Sequence, residues 1–234
     1  MTPFILETSR LILRAFQPDD LHAIHRILDV TFGDGSKITD AVALSERRSW
    51  LEWSRLSAEW LPRMFQPPYG DRAVVLKSIG EVIGAVGLVP CFDVFEQIPG
   101  LGRSTNQAEA APSAASLWDM PPESRAWEPA LLDSESHKTP HTYRVAEMGL
   151  FWAIDLEHQR HGYAAEAAQA LIDFAFQQLR VKRLIATTEH DNAASIGVMR
   201  KLGMRVEKNP FPDPPWLQVV GILGHPADKE AKRG

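Results

Sequence analysis

Gln159-Arg160-His161-Gly162-Tyr163-Ala164 is the stretch of this chain whose residue types and order can do chemistry. It follows the apolar run VAEMGLFWAI and the polar turn DLEHQRHG, and it leads into a helical pattern. A strand that feeds a tight turn with glycine at a helix start leaves unpaired N–H groups at the positive end of the helix dipole. That arrangement suits a diphosphate. Gly162 removes the Cβ that would block close approach, and Arg160 and His161 lie where they add positive charge. A simple turn also places glycine there, so the loop gains meaning only from what surrounds it. One βα unit downstream, Asn192 opens a second helix and Ser195 lies on the same helical face one turn on. Asn192 is also among the best N-cap residues, and a helix hydroxyl such as Ser195 also bonds back to a carbonyl.

Other candidates are weaker. The single cysteine, Cys91, has no motif around it and no second thiol with which to form a disulfide or a thiolate metal site. His22 and His25 share a predicted helix face, and His158 and His161 share the same spacing, but no carboxylate or cysteine completes a ligand set. No metal is assigned.

The elements that must position these residues follow from periodicity. Residues 10 to 16, RLILRAF, read as a strand, and Gln17-Pro18-Asp19-Asp20 starts a helix bearing Leu21, Ile24, Ile27 and Leu28. A second helix is expected from Ala41 to Leu61, where Trp50, Trp53 and Trp60 would pack against the sheet or reach an acceptor pocket. DRAVVLK and EVIGAVGLV form a hairpin around Ser78-Ile79-Gly80. The strand of Glu147 to Ile154, a helix from Tyr163 to Leu179, the strand RLIATTE, a helix from Asn192 to Leu202 and the strands MRVEK and WLQVVGIL complete the order. Between the two patterned halves, Glu96 to Thr142 is rich in Ala, Ser, Pro and Glu and lacks either period, as a flexible insertion would. Its Trp118 and Trp127 are expected to anchor a lid or a homodimer contact, or to sit in a plain loop.

Composition sets the outer limits. The 234 residues are 44% hydrophobic and 24% charged, as in an ordinary globular domain. Lys plus Arg number 25 against 30 Asp plus Glu, a net charge of −5, which argues against a nucleic-acid partner. The N-terminal MTPFILETSRLILR lacks the apolar core of a signal peptide, and no apolar window is long enough to span a bilayer, so no membrane partner and a cytoplasmic location are expected.

The opening TSRLILRAFQPDD, Glu147-Met148-Gly149-Leu150-Phe151-Trp152, the Gln159–Ala164 loop, Asn192-Ala193-Ala194-Ser195 and Met199–Met204 occur in an order that resembles the GNAT acetyltransferase superfamily, in particular its RimJ/RimL-like branch. The resemblance implies an α+β fold: a mixed, mostly antiparallel sheet with one splayed parallel strand pair, flanked by helices, in a single domain over 1–234. It implies acetyl-CoA as cosubstrate and a primary amine as acceptor, either a protein N-terminus or a small molecule. Gln159, Gly162 and Ala164 match the family's diphosphate loop, with Arg160, His161 and Tyr163 at its variable positions. The pantetheine arm is expected in the strand gap, against backbone near Ile154 and Leu156, with Asn192 beside it.

For the chemistry, the resemblance points to Ser195 as proton donor to the leaving thiolate and to Glu207, in Gly203-Met204-Arg205-Val206-Glu207, as general base. Glu147 is the rival base. Val198 and Met199 stand where many members place a catalytic tyrosine, which leaves open a second reading as a CoA-binding module without transfer activity. An amine must lose a proton before it attacks a carbonyl, so a base is needed, whereas a covalent route through Cys91 is not.

Overall fold

The computed structural model describes residues 4–33, 35–93, 95, 98–101 and 145–227. The N-terminal segment supplies β1 (Ile5–Glu7) and β2 (Leu11–Arg14), followed by α1 (Leu21–Phe32) and α2 (Ala41–Arg63). The hairpin is β3 (Gly70–Leu76) and β4 (Glu81–Asp93), turned at Gly80 with φ of +73°, a value that favours glycine. After the insertion come β5 (Val145–Ile154), α3 (Tyr163–Gln177), β6 (Arg183–Thr188), α4 (Ala193–Lys201), β7 (Arg205–Lys208) and β8 (Val219–Gly224). The expected order holds, with one strand added. β1 was not read from the sequence, and the strand expected over 10 to 16 is shorter, covering Leu11–Arg14.

These strands form one eight-stranded sheet in the order β1-β2-β3-β4-β5-β6-β8-β7. Every neighbouring pair is antiparallel except β5 and β6. That parallel pair meets in register only at Gly149 and Ile185, although β5 runs on to Ile154 and β6 to Thr188. Beyond this point the strands diverge. The splayed pair is therefore present, and the α+β architecture with it.

Alternating residues divide the core between the two faces of the sheet. On one face Leu11, Leu13, Val74, Val86, Leu150 and Leu184 pack against α3 residues Ala168, Leu171, Ile172 and Ala175 and against Met199 of α4. On the other, Ala73, Val75, Ala85 and Ala153 pack against Ile24 and Leu28 of α1 and Leu51 of α2. Each fully buried Leu or Ile of this kind contributes roughly 1.5–3 kcal/mol. A third cluster joins Phe95, Ile98 and Leu101 to Ile185, Leu217, Val220 and Ile222. The start of the insertion is thus docked on the sheet rather than free of it. Trp118 and Trp127 and the tail from residue 228 lie outside the described residues.

The α2 tryptophans correct an expectation. Trp50 packs edge-on against Phe16, but Trp53 and Trp60 are 57% and 50% exposed and do not join helix to sheet. The inward positions of α2 are Leu51 and Ser54.

Candidate active site

The two helices that follow the diverging strands set the site. α3 begins after the C-terminal end of β5 and α4 after that of β6, so both N-termini stand at the end of the sheet where β5 and β6 part. Ligands of open parallel strands bind at such carboxyl ends, next to helix N-termini.

The loop between β5 and α3 is built to turn amides outward. Leu156–His158 forms one turn of tight helix, Arg160 has φ of +64° and Gly162 φ of +83°. Left-handed residues so closely spaced gather successive N–H groups into an anion-binding concavity. A non-glycine residue at positive φ is held there by its surroundings. Gln159 supplies part of that hold, its side-chain amide donating to Ile154 O at 3.0 Å, and His161 Nδ1 lies 2.8 Å from Gln159 O. Of the two backbone positions expected to meet a pantetheine arm, Ile154 O therefore already accepts a bond from Gln159. The Leu156 carbonyl accepts from Gln159 N at 3.3 Å.

Around Gly162 the structure collects cations from distant parts of the chain. An ideal Cβ on Gly162 would lie 3.2 Å from Lys201 Nζ and 3.7 Å from Arg10 Nη2. Arg10 donates to His161 O at 3.0 Å, pairs with Glu166 at 2.6 Å and stacks 4.5 Å over the Tyr163 ring, which itself stacks on His161. Neither Arg10 nor Lys201 was singled out in the sequence. Each stands in an ordinary strand or helix pattern, and the signal is only their placement after folding. Glu166, in the first turn of α3, is also bonded to Thr8 Oγ1 at 2.5 Å, Ser9 Oγ at 3.1 Å and Arg10 N at 3.0 Å. Burial pulls its carboxyl upward, but these bonds outweigh burial and hold it below the usual range.

Asn192 caps α4 by accepting from Ser195 N at 3.0 Å. Its amide nitrogen and the Ser195 hydroxyl make no hydrogen bond among the described residues. Met199, one of the two positions where many members of the resembled superfamily place a catalytic tyrosine, is fully buried and belongs to the core.

The carboxylates stand on the other face. Register places Phe151, Gly149, Ile185, Ile222 and Arg205 on the side covered by α1 and α2, and Glu147 and Glu207 share it. Glu147 is buried and held by both Nε and Nη2 of Arg183, directly across the parallel pair. That bond raises the Arg183 guanidinium. Glu207 sits on the edge strand β7, paired to Arg205, whose guanidinium also donates to Pro99 O at 3.1 Å. Cys91 lies opposite Glu147 in β4, half-buried, and burial followed by Asp93 and Glu147 pushes its thiol up. A thiol so placed is a poor nucleophile. His25 is buried against Lys37 O at 3.2 Å while His22 is exposed. Among the described residues no group of three metal-ligating side chains forms, and no helix is long and apolar enough to cross a membrane.

Comparison with known proteins agrees with this geometry. The profile of the Acetyltransferase (GNAT) domain matches residues 10–205. The uncharacterized protein YkkB of Bacillus subtilis is 38% identical over 205 residues, which are 87% of this chain and 86% of YkkB. The uncharacterized N-acetyltransferase YnaD of the same organism is 40% identical over 67 residues, 29% of this chain and only 36% of YnaD. Among solved structures, an acetyltransferase from Agrobacterium tumefaciens superposes with a TM-score of 0.56 at 20% identity, covering 95% of both chains. RimJ of Mycobacterium smegmatis, in complex with CoA-disulfide, gives 0.55 at 14% identity, covering 95% of this chain and 88% of RimJ. These superpositions establish the shared fold. With the domain match spanning both the loop at Gly162 and the splayed strands, the chain belongs to the GNAT acetyltransferase family.

Proposed function

We propose that this protein is an N-acetyltransferase of the RimJ/RimL-like branch, a single domain acting in the cytoplasm, that moves the acetyl group of acetyl-CoA to a primary amine by direct attack. The acceptor is a protein N-terminus or a small-molecule amine. The observation that carries the reading is the loop at Gly162, with its two left-handed residues Arg160 and Gly162 and with Arg10 and Lys201 beside it, next to a parallel strand pair that parts after one register position. The cradle fits the cosubstrate. A Cβ at Gly162 would crowd Lys201 Nζ at 3.2 Å, and among the described residues the only acidic partner of these cations is Glu166, on Arg10. The residues that would hold acetyl-CoA are Gln159, Arg160, His161, Gly162, Tyr163 and Ala164 at the diphosphate, and Ile154, Leu156 and Asn192 along the pantetheine. When bound, it supplies an acetyl group activated as a thioester.

The chain's own residues then divide the proton work between the two faces. Ser195, at the N-terminus of α4, donates a proton to the leaving sulfur. Glu207, on the α1/α2 face, accepts the proton of the amine, directly or through water. Glu147, clamped by Arg183, has both oxygens engaged and serves to lock β5 to β6 just before they part. A second reading, CoA binding without transfer, draws on the buried Met199 and on the Arg205 pairing of Glu207.

A screen of amines with acetyl-CoA, followed by released thiol, separates the two. Acetylation of at least one amine class supports transfer; cosubstrate binding by calorimetry without thiol release across the panel selects the binding module. Glu207→Gln should lower kcat at least tenfold, ~1.4 kcal/mol, with acetyl-CoA affinity nearly unchanged. Wild-type turnover across pH would remove Glu207 from the role.

A further inference from the structure

The α1/α2 face of the sheet holds a carboxylate that nothing in the fold uses. Asp71, second residue of β3, has Oδ1 sealed from solvent with no hydrogen-bond partner. Neither of its oxygens is bonded among the described residues. Its neighbour Arg72 does not neutralise it. That side chain, 2% exposed, turns to the opposite face, where it donates to Pro68 O at 3.1 Å and to the Asp71 carbonyl at 2.9 Å and lies over the Phe4 ring. The residue is half-buried, but a carboxylate oxygen sealed without a partner opposes folding, so its presence asks for a ligand that completes it.

Its surroundings say what kind. Asp71 pairs in register with Gly87 of β4, and Gly87 with Phe151 of β5. An ideal Cβ on Gly87 would collide with Asp71 Oδ1 at 2.3 Å, so the carboxylate leans across a strand position that only glycine leaves open, toward β5. Phe151 lies two residues past Gly149, where β5 and β6 separate, and its ring stacks on Phe32 at the end of α1. On α2, which covers this side of the sheet, Ser54 is buried with its hydroxyl unpartnered among the described residues, one turn beyond Leu51, a member of the same core cluster as Ala73 and Val75. A bare acceptor and aromatic rings on the route to the strand gap match an alkylammonium: charge for the carboxylate, methylenes for the rings. The carboxyl is pushed up to about 6, burial outweighing Arg72, so it stands ionised above that pH and gains most from a cation.

We propose that Asp71 is an acceptor-binding carboxylate, which seats a second, non-reacting ammonium of the incoming amine on the α1/α2 face, two strands from the gap that the reacting amine must reach. This deepens the transferase reading and rests on it for the reaction, but the binding itself is separable. It also assigns the acceptor class as an amine that carries a second, protonated amine on an aliphatic chain spanning about two strand spacings, roughly 10 Å.

The test follows the Asp71 carboxyl carbon by NMR through a pH titration of the full chain, alone, with n-pentylamine and with the neutral isostere n-pentanol. A midpoint that falls with saturating pentylamine and stays in place with pentanol supports the site. A midpoint indifferent to pentylamine overturns it. Asp71→Asn should raise the KM of the amine found in the acceptor screen at least tenfold while acetyl-CoA affinity by calorimetry stays unchanged; an unchanged KM contradicts the proposal. Gly87→Ala, which pushes the carboxylate aside, should copy the effect. Should acetyl-CoA fail to bind while the midpoint still moves, the transferase reading falls and the ammonium site stands.

Discussion

Asp71 and Gly162 make opposite demands on the chain, and both can be measured. At Asp71 the folded protein holds a carboxyl raised from 3.8 to about 6. The unfolded chain ionises first, so stability declines as pH rises from about 4 to about 6 and the penalty is constant above that. Asp71→Asn should therefore stabilise the protein by ~1–2 kcal/mol at pH 7.5, less than the full linkage value because the new amide is buried too, with no gain at pH 3.5. Urea midpoints at the two pH values check this, and equal shifts at both would contradict it. At Gly162 the positive φ strains any side chain, and a Cβ would crowd Lys201 Nζ. Gly162→Trp should weaken acetyl-CoA more than tenfold, over ~1.4 kcal/mol, by calorimetry. Gly162 was legible from sequence only through the motifs around it, since glycine at a helix start also serves a plain turn. Asp71 was not, since a single acid at the head of a β-branched run looks like any solvated strand end.

At the scale of elements, the joint between β1, β2 and α3 supports the loop. Thr8, Ser9 and Arg10 all bond to Glu166 in the first turn of α3, and Arg10 reaches on to His161 O. The depressed Glu166 carboxyl contributes stability that is present above the unfolded value near pH 4.5 and lost as pH falls through the lower folded value. Glu166→Gln should remove ~1–3 kcal/mol at neutral pH and flatten the acid limb of the stability profile; an unaltered limb would show that the joint is not what stabilises it. Helices α1, α3 and α4 and the hairpin were readable because their apolar spacing is regular. β1 was not, as its three residues alternate exposed, half-buried, exposed at the sheet edge and carry too short a pattern. On α2 the period was right but the face was wrong. Trp53, Leu56 and Trp60 follow a helical stripe, yet that stripe points outward, because Leu51 and Ser54 take the inner positions.

Across the whole molecule, the sheet separates two approaches to one gap. The Gly162 loop, proposed as the anion cradle, opens α3, which packs with α4 on one face, whereas Asp71, Glu147 and Glu207 lie on the opposite face, covered by α1 and α2 and, over β6 and β8, by Phe95, Ile98 and Leu101. Glu207 is two strands from β6, and Asp71 two strands from β5, roughly 10 Å on either side of the gap at about 4.8 Å per strand. Sequence order conveyed the family and the splayed pair through motifs that are each local. The cation cluster is not local: Arg10 and Lys201 converge on Gly162 from distant parts of the chain, and only the assembled sheet and its helices bring them there. The most direct measurement is a crystal structure with acetyl-CoA bound. The account predicts the diphosphate within hydrogen-bond reach of the amides around Gly162, close to Lys201 and Arg10, and the acetyl group between β5 and β6 beyond Gly149. Electron density for the ligand elsewhere, with β5 and β6 paired through to Ile154, would contradict it.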